Sequence, residues 1–125
     1  MLNSLEADAD RLSIIAATLA NNGVCPLTGD AILSPRIVRD VLSTMFCCGM
    51  NDHTGKFAFE IGLPAKSGVG GGTMVVVPGV MGFCTYSPKL DQYSNSVRGT
   101  LFSKLLSQRF ELHRFTVGLD PLSKM

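Results

Sequence analysis

The stretch Gly62-Leu63-Pro64-Ala65-Lys66-Ser67-Gly68-Val69-Gly70-Gly71-Gly72, continued by Thr73-Met74-Val75-Val76-Val77-Pro78, decides how this chain reads. Ala65 to Gly70 and Gly72 to Pro78 are predicted as strands. The second is rich in β-branched residues, and the glycines between them let backbone approach backbone or ligand closely. Pro78-Gly79 supplies a tight turn into a further strand, Val80 to Tyr86. Consecutive strand side chains point to opposite faces, so Lys66 cannot readily deprotonate Ser67, and Ser67 is a poor stand-in nucleophile. The glycine run also fails as a phosphate cradle. It lacks the G-x-x-x-x-G-K-[ST] spacing, and an apolar strand rather than a helix follows it.

Upstream, Leu5 to Asn22 is predicted as a helix with acids in its first turn, a cluster of Leu12, Ile14, Ile15 and Leu19, and Asn22-Gly23 as a left-handed stop. Cys25 to Asp30 is a turn-rich link. Ser34-Pro35 opens a second helix, with Ser as N-cap and Pro in the first position. It buries Ile37, Val38, Val41, Leu42 and Met45 and ends near Gly49. Asn51 to Gly55 is expected as a polar loop containing His53. Phe57 to Leu63 is ambiguous from its residues: the alternation of Phe57, Phe59 and Ile61 argues a strand, and the family resemblance given below argues a short helix, which is the favoured reading. Downstream of the strands, Ser87 to Gln92 is a loop. Ser94 or Asn95 caps a last helix running to about Gln108, with Val97, Leu101, Leu105 and either Ser94 or Phe102 on a shared face. Tyr86 and Tyr93 are expected to pack, Met45, Met50, Met74 and Met81 to fill core volume, and His113 to lie at the surface.

With 125 residues and a net charge of +1, the chain fits one small domain or part of a larger one and offers nothing for electrostatic capture of nucleic acid or an anionic membrane. Met1 to Asp10 carries three acids and no base, the wrong charge for a signal or transit peptide. The longest apolar run, around Thr73 to Phe83, is too short and too broken by glycine to span a bilayer. The four cysteines (Cys25, Cys47, Cys48, Cys84) have no zinc-ligand spacing and are expected as buried, reduced thiols of an intracellular protein.

A Lys-Ser-Gly triplet at a strand is a form of the K-T-G signature of penicilloyl-serine enzymes. Here it sits inside a longer series of islands. These are Ala16-Ala17-Thr18-Leu19-Ala20-Asn21-Asn22-Gly23, Cys25-Pro26-Leu27-Thr28-Gly29, Leu33-Ser34-Pro35, Met45-Phe46-Cys47-Cys48-Gly49-Met50, Phe57 to Val69, Ser87-Pro88-Lys89-Leu90-Asp91 and Asn95-Ser96-Val97. In this order they resemble serine-type glutaminases, which hydrolyse L-glutamine to glutamate and ammonia. The resemblance implies an α/β (α+β) fold, namely the C-terminal part of a β-lactamase/transpeptidase-like architecture with an antiparallel sheet flanked by helices. Residues 1–125 would then be a partial catalytic domain.

The same resemblance implies site residues. The Val69 backbone N–H would be an oxyanion donor, with Lys66, Ser67 and Gly68 lining the strand beside it. Asn51 stands where the family pattern Gly-Met-Tyr-Asp places a proton-shuttling Tyr, and its amide does not titrate. The family's Ser-x-x-Lys pair, nucleophile and base, is missing, because no Ser here has Lys three residues later. The implied substrate is L-glutamine, with no cofactor and no metal, in cytoplasm or mitochondrion. The implied partners are further copies or full-length glutaminase subunits. The chain alone is expected to be inactive. The other readings are a non-catalytic partner subunit and a degenerate gene product. Absent neighbouring strands would leave an unpaired sheet edge.

Overall fold

A computed structural model describes residues 6–116. Helix α1 spans Ala9–Ala20. Asp8 caps it, its carboxylate accepting from Arg11 N–H at 2.7 Å. The helix is shorter than expected at both ends, because the cap falls at Asp8; the predicted start at Leu5 lies outside the described residues. The left-handed stop forms as expected, with Asn22 at φ 56° and Gly23 at φ 94°. A Cβ on Gly23 would lie 2.1 Å from the Leu33 carbonyl oxygen, so only glycine fits there. Helix α2, Pro35–Cys48, starts as predicted, with Ser34 as N-cap and Pro35 in its first turn. Its outer turns differ from the expected stripe: Val38 and Met45 are buried, while Ile37 is exposed. Ile15 of α1 is exposed as well.

The expected polar loop is not a loop. Asn51–His53 forms a 3-10 turn that runs straight into helix α3, Thr54–Glu60. The Thr54 hydroxyl both donates to the Asn51 carbonyl and accepts from Met50 N–H at 3.0 Å, tightening this junction. The helix therefore begins three residues before Phe57 and ends before Gly62, which sits at φ 69°.

Strands β1 (Ala65–Ser67), β2 (Gly72–Val77) and β3 (Met81–Tyr86) form an antiparallel sheet in the order β1-β2-β3. β1 is shorter than predicted: Gly68, Val69 and Gly70 leave the strand and make a turn closed by Gly71 N–H to the Gly68 carbonyl (3.0 Å). β2 and β3 are joined through Pro78-Gly79, with Gly79 at φ 76° and Val80 N–H bonded to the Val77 carbonyl (3.0 Å), the pattern of a type II turn.

Apolar side chains cover both faces of the sheet. Val75, Val77 and Ala65 pack with Met50, Phe57, Ile61 and Leu63, while Val76 packs with Ala16, Leu19 and Ala20 of α1 and Val38 and Met45 of α2. Gly82 of β3 admits α1 so closely that a Cβ would lie 2.1 Å from the backbone carbon of Ala16.

Helix α4, Val97–Phe110, is capped by Ser96, one residue beyond the expected candidates; Ser96 Oγ accepts from Gly99 N–H at 3.1 Å. Its buried positions are Gly99, Ser103 and Ser107. The shared apolar face points outward: Val97, Leu101, Phe102 and Leu105 are all exposed. Small residues win the inner face because α4 lies close against its neighbours. Ser107 Oγ reaches the Ile61 carbonyl at 2.8 Å, and a Cβ on Gly99 would lie 2.6 Å from Thr85 Oγ1. His113 is half-buried rather than at the surface. Its Nε2 bonds the Phe59 carbonyl at 2.9 Å, and its ring occupies the space a Gly62 side chain would fill.

Candidate active site

The end of α2, the 3-10 turn, β1 and the segment 91–96 converge at the Lys-Ser-Gly strand. Ser67 N–H bonds the Gly49 carbonyl at 3.0 Å, which ties β1 to the end of α2. This approach excludes any side chain at position 49, since a Cβ there would lie 1.7 Å from the Ala65 carbonyl oxygen. The turn after β1 is fixed just as tightly. Gly68 N–H bonds the Gly72 carbonyl (2.9 Å), Gly71 sits at φ 100°, and its carbonyl accepts from Ser87 N–H at 2.9 Å.

Lys66 and Ser67 lie on opposite faces of β1. Lys66 is exposed, and its ammonium bonds the Ser67 carbonyl; Ser67 is buried. Val69 projects from the turn, 75% exposed, with Gly68 beside it, and among the described residues its N–H makes no hydrogen bond. A backbone N–H that has no partner among the described residues is a donor that developing negative charge could use without reorganisation.

Asn51 is the hub of the polar contacts. Its Nδ2 lies 3.0 Å from the Tyr93 carbonyl, 3.3 Å from Asn95 Oδ1 and 3.4 Å from Ser67 Oγ. Two amide protons thus serve three acceptors. The backbone of Asn51 is left-handed at φ 55°, a conformation Asn tolerates better than most residues. Asn95, fully buried, donates its Nδ2 to the Met50 carbonyl at 2.9 Å and is itself held by Asp91, whose carboxylate accepts from Asn95 N–H (3.1 Å) and Tyr93 N–H (2.8 Å).

Sequence reasoning assigned Asn95 a helix cap and Tyr93 a packing role. The structure instead makes Asn95 a buried strut between two segments 45 residues apart, while Tyr93 packs as expected, its ring stacked on that of His53 at 5.1 Å. The signal for this was present only as Asp91-Gln92-Tyr93-Ser94-Asn95, an Asx-turn-forming composition. Tyr86 is exposed rather than packed.

Of the cysteines, Cys47 and Cys48 are exposed, contrary to expectation. A hydrogen bond from Thr28 holds the Cys25 thiol below its usual range, and burial pushes the Cys84 thiol up. Among the described residues no cluster of His, Cys, Asp and Glu could hold a metal ion, and no helix is long and apolar enough to cross a membrane.

The glutaminase family model matches residues 1–115. The mitochondrial liver-isoform glutaminase of Rattus norvegicus is 49% identical over 114 residues, which is 91% of this chain and 19% of the rat protein. A glutaminase of Nostoc sp. is 50% identical over 104 residues, 83% of this chain and 31% of that one. Among solved structures, the covalent complex of a Bacillus subtilis glutaminase with 5-oxo-L-norleucine superposes with a TM-score of 0.86 at 32% identity, covering 90% of this chain and 40% of that chain. A second Bacillus glutaminase structure gives 0.84 at 32% identity, with 38% of its chain covered. The chain thus spans about a fifth of the rat relative and less than half of the solved ones. These neighbours have the β-lactamase-like arrangement expected of the helix-flanked antiparallel sheet, and by family match, sequence identity and backbone geometry together this chain belongs to the glutaminase family.

Proposed function

We propose that this chain is part of a glutaminase catalytic domain and supplies its oxyanion strand. The reaction is hydrolysis of L-glutamine to L-glutamate and ammonia. A serine oxygen, contributed from the part of the domain outside this chain, attacks the side-chain carboxamide carbon. The C–N bond breaks, the nitrogen takes up a proton and leaves as ammonia, and water then cleaves the acyl ester to release glutamate. The Val69 N–H holds the oxyanion at each tetrahedral stage, with Lys66, Ser67 and Gly68 shaping the wall beside it and Asn51 at the pocket floor. The observation that carries this reading is the Val69 N–H in the turn after β1, which has no hydrogen-bond partner among the described residues and belongs to an exposed residue. Loss of one such donor costs about 3 kcal/mol of transition-state stabilisation.

The chain has no Ser-x-x-Lys, and Asn51 cannot exchange a proton near neutral pH. Alone it therefore releases no ammonia from glutamine. The relative from rat is named as mitochondrial, which favours an intracellular site of action.

The test is a chimera in which this chain replaces the matched segment of the Bacillus subtilis glutaminase, assayed for ammonia release. Asn51→Tyr is expected to raise kcat in that background, and Val69→Pro to lower it by about 100-fold. A folded chimera indifferent to Val69→Pro removes the oxyanion role. Turnover by the isolated chain, lost on Val69→Pro, removes the claim that it is inactive alone.

A further inference from the structure

The Asn51 side chain has one end tied and one end free. Its Nδ2 faces the Tyr93 carbonyl at 3.0 Å, Asn95 Oδ1 at 3.3 Å and Ser67 Oγ at 3.4 Å. A carbonyl oxygen only accepts, and Asn95 is itself held with Oδ1 towards Asn51 because its Nδ2 donates to the Met50 carbonyl at 2.9 Å. Turning the Asn51 amide over would set its oxygen against these oxygens. Asn51 Oδ1 is therefore the outward end. The residue is exposed, and among the described residues this oxygen accepts no hydrogen bond. Position 51 thus presents an acceptor and no donor.

Asn51 reaches Ser67, and the unpartnered Val69 N–H lies in the turn that follows that residue. A backbone donor and a fixed side-chain acceptor border the same strand end. A primary carboxamide complements that pair, since its oxygen accepts and its NH2 donates. A carboxylate has two acceptor oxygens and no proton to give, so one of them would meet Asn51 Oδ1 with no hydrogen between them. Lys66 is turned to the opposite face of β1 with its ammonium on the Ser67 carbonyl, and the Asp91 carboxylate stands behind Tyr93 and Asn95.

We infer that Asn51 Oδ1 is a specificity-determining acceptor, which makes this site hold a side-chain carboxamide and reject the matching carboxylate. A tyrosine hydroxyl at the same place both donates and accepts, and does not separate the two. In ligand terms the site retains L-glutamine and turns away L-glutamate. The inference rests on the reading of the chain as part of a glutaminase domain, but it concerns selection between amide and acid and not bond cleavage.

The lock on the amide is tested in the chain alone and without substitution. The Asn51 side-chain amide protons are expected to exchange with solvent at least about 10-fold more slowly than those of Asn22, which is exposed and makes no side-chain hydrogen bond among the described residues. Equal exchange means that the amide turns freely and overturns the inference.

Selection is tested in the Bacillus subtilis chimera, its nucleophile serine changed to alanine so that neither ligand is turned over. By calorimetry at neutral pH, L-glutamate is expected to bind at least about 100-fold more weakly than L-glutamine, and Asn51→Tyr or Asn51→Ala to narrow that ratio at least about 10-fold. Equal affinity in the folded parent, or a ratio that both variants leave unchanged, overturns the inference. A folded chimera that binds neither ligand overturns it together with the glutaminase reading. Selective binding of glutamine with no ammonia release once the serine is restored leaves Asn51 as the selector while the hydrolytic reading falls. Ammonia release with equal affinity for both ligands does the reverse.

Discussion

The two ends of this small sheet are built under opposite rules. Around β1 no space is left over: Gly49 touches the Ala65 carbonyl, Gly71 lies against Ser87 and Pro88, and Asn95 is sealed between Met50 and Asp91. Around the outer edge of β3 and the outward row of α4, apolar side chains stand in solvent. The tight end is determined by contacts this chain makes with itself. The open end leaves its apolar row uncovered by any described residue. The shape of the tight end does not depend on it.

The comparison can be broken most forcefully at Gly49. Gly49→Ala places a methyl group 1.7 Å from a backbone oxygen that cannot yield, so a loss of more than about 4 kcal/mol, seen as absence of a cooperative urea transition, is expected. A stable, folded Gly49→Ala chain means the tight end is slack.

Asn95→Ala removes the donor from the buried Met50 carbonyl and one acceptor of Asn51, and is expected to lower stability by about 2–3 kcal/mol, read from the denaturation midpoint. Ser94 sits at φ 63° in the same segment. Ser94→Gly relieves that conformation and should raise the midpoint by about 1 kcal/mol equivalent. The smallest effect belongs to the open end. Leu101→Lys in the chain alone should change stability by less than about 0.5 kcal/mol, because the side chain already faces water. A large loss there would mean that the outward row packs within this chain after all.

The sequence made some of this visible and hid the rest for physical reasons. Features written in neighbouring residues came through, among them the Ser34-Pro35 start of α2, the Asn22-Gly23 stop and the Pro78-Gly79 turn. Each depends on local backbone preferences that no distant contact overrides. The orientation of α4 did not come through, because apolar periodicity tells which row is apolar and not which row this chain covers. The contacts of His113 with Gly62 and Phe59 and of Asn95 with Met50 join residues about fifty or forty-five positions apart, which no local pattern encodes. At the candidate site the strand predicted over Ala65 to Gly70 ends at Ser67, so Val69 lies in the turn beyond β1 rather than within the strand.

The left-handed backbone at Asn51 also bears on which side chains this position can hold. Asn accepts φ 55° at little expense, an aromatic residue does so less readily, and the Tyr93, Asn95 and Ser67 oxygens share the Asn51 amide as donor. Tyrosine at this position would give up those bonds while introducing a titratable hydroxyl. Asn51→Tyr therefore couples a loss of stability to whatever proton transfer it supplies, and the two are separated by measuring the denaturation midpoint alongside the rate.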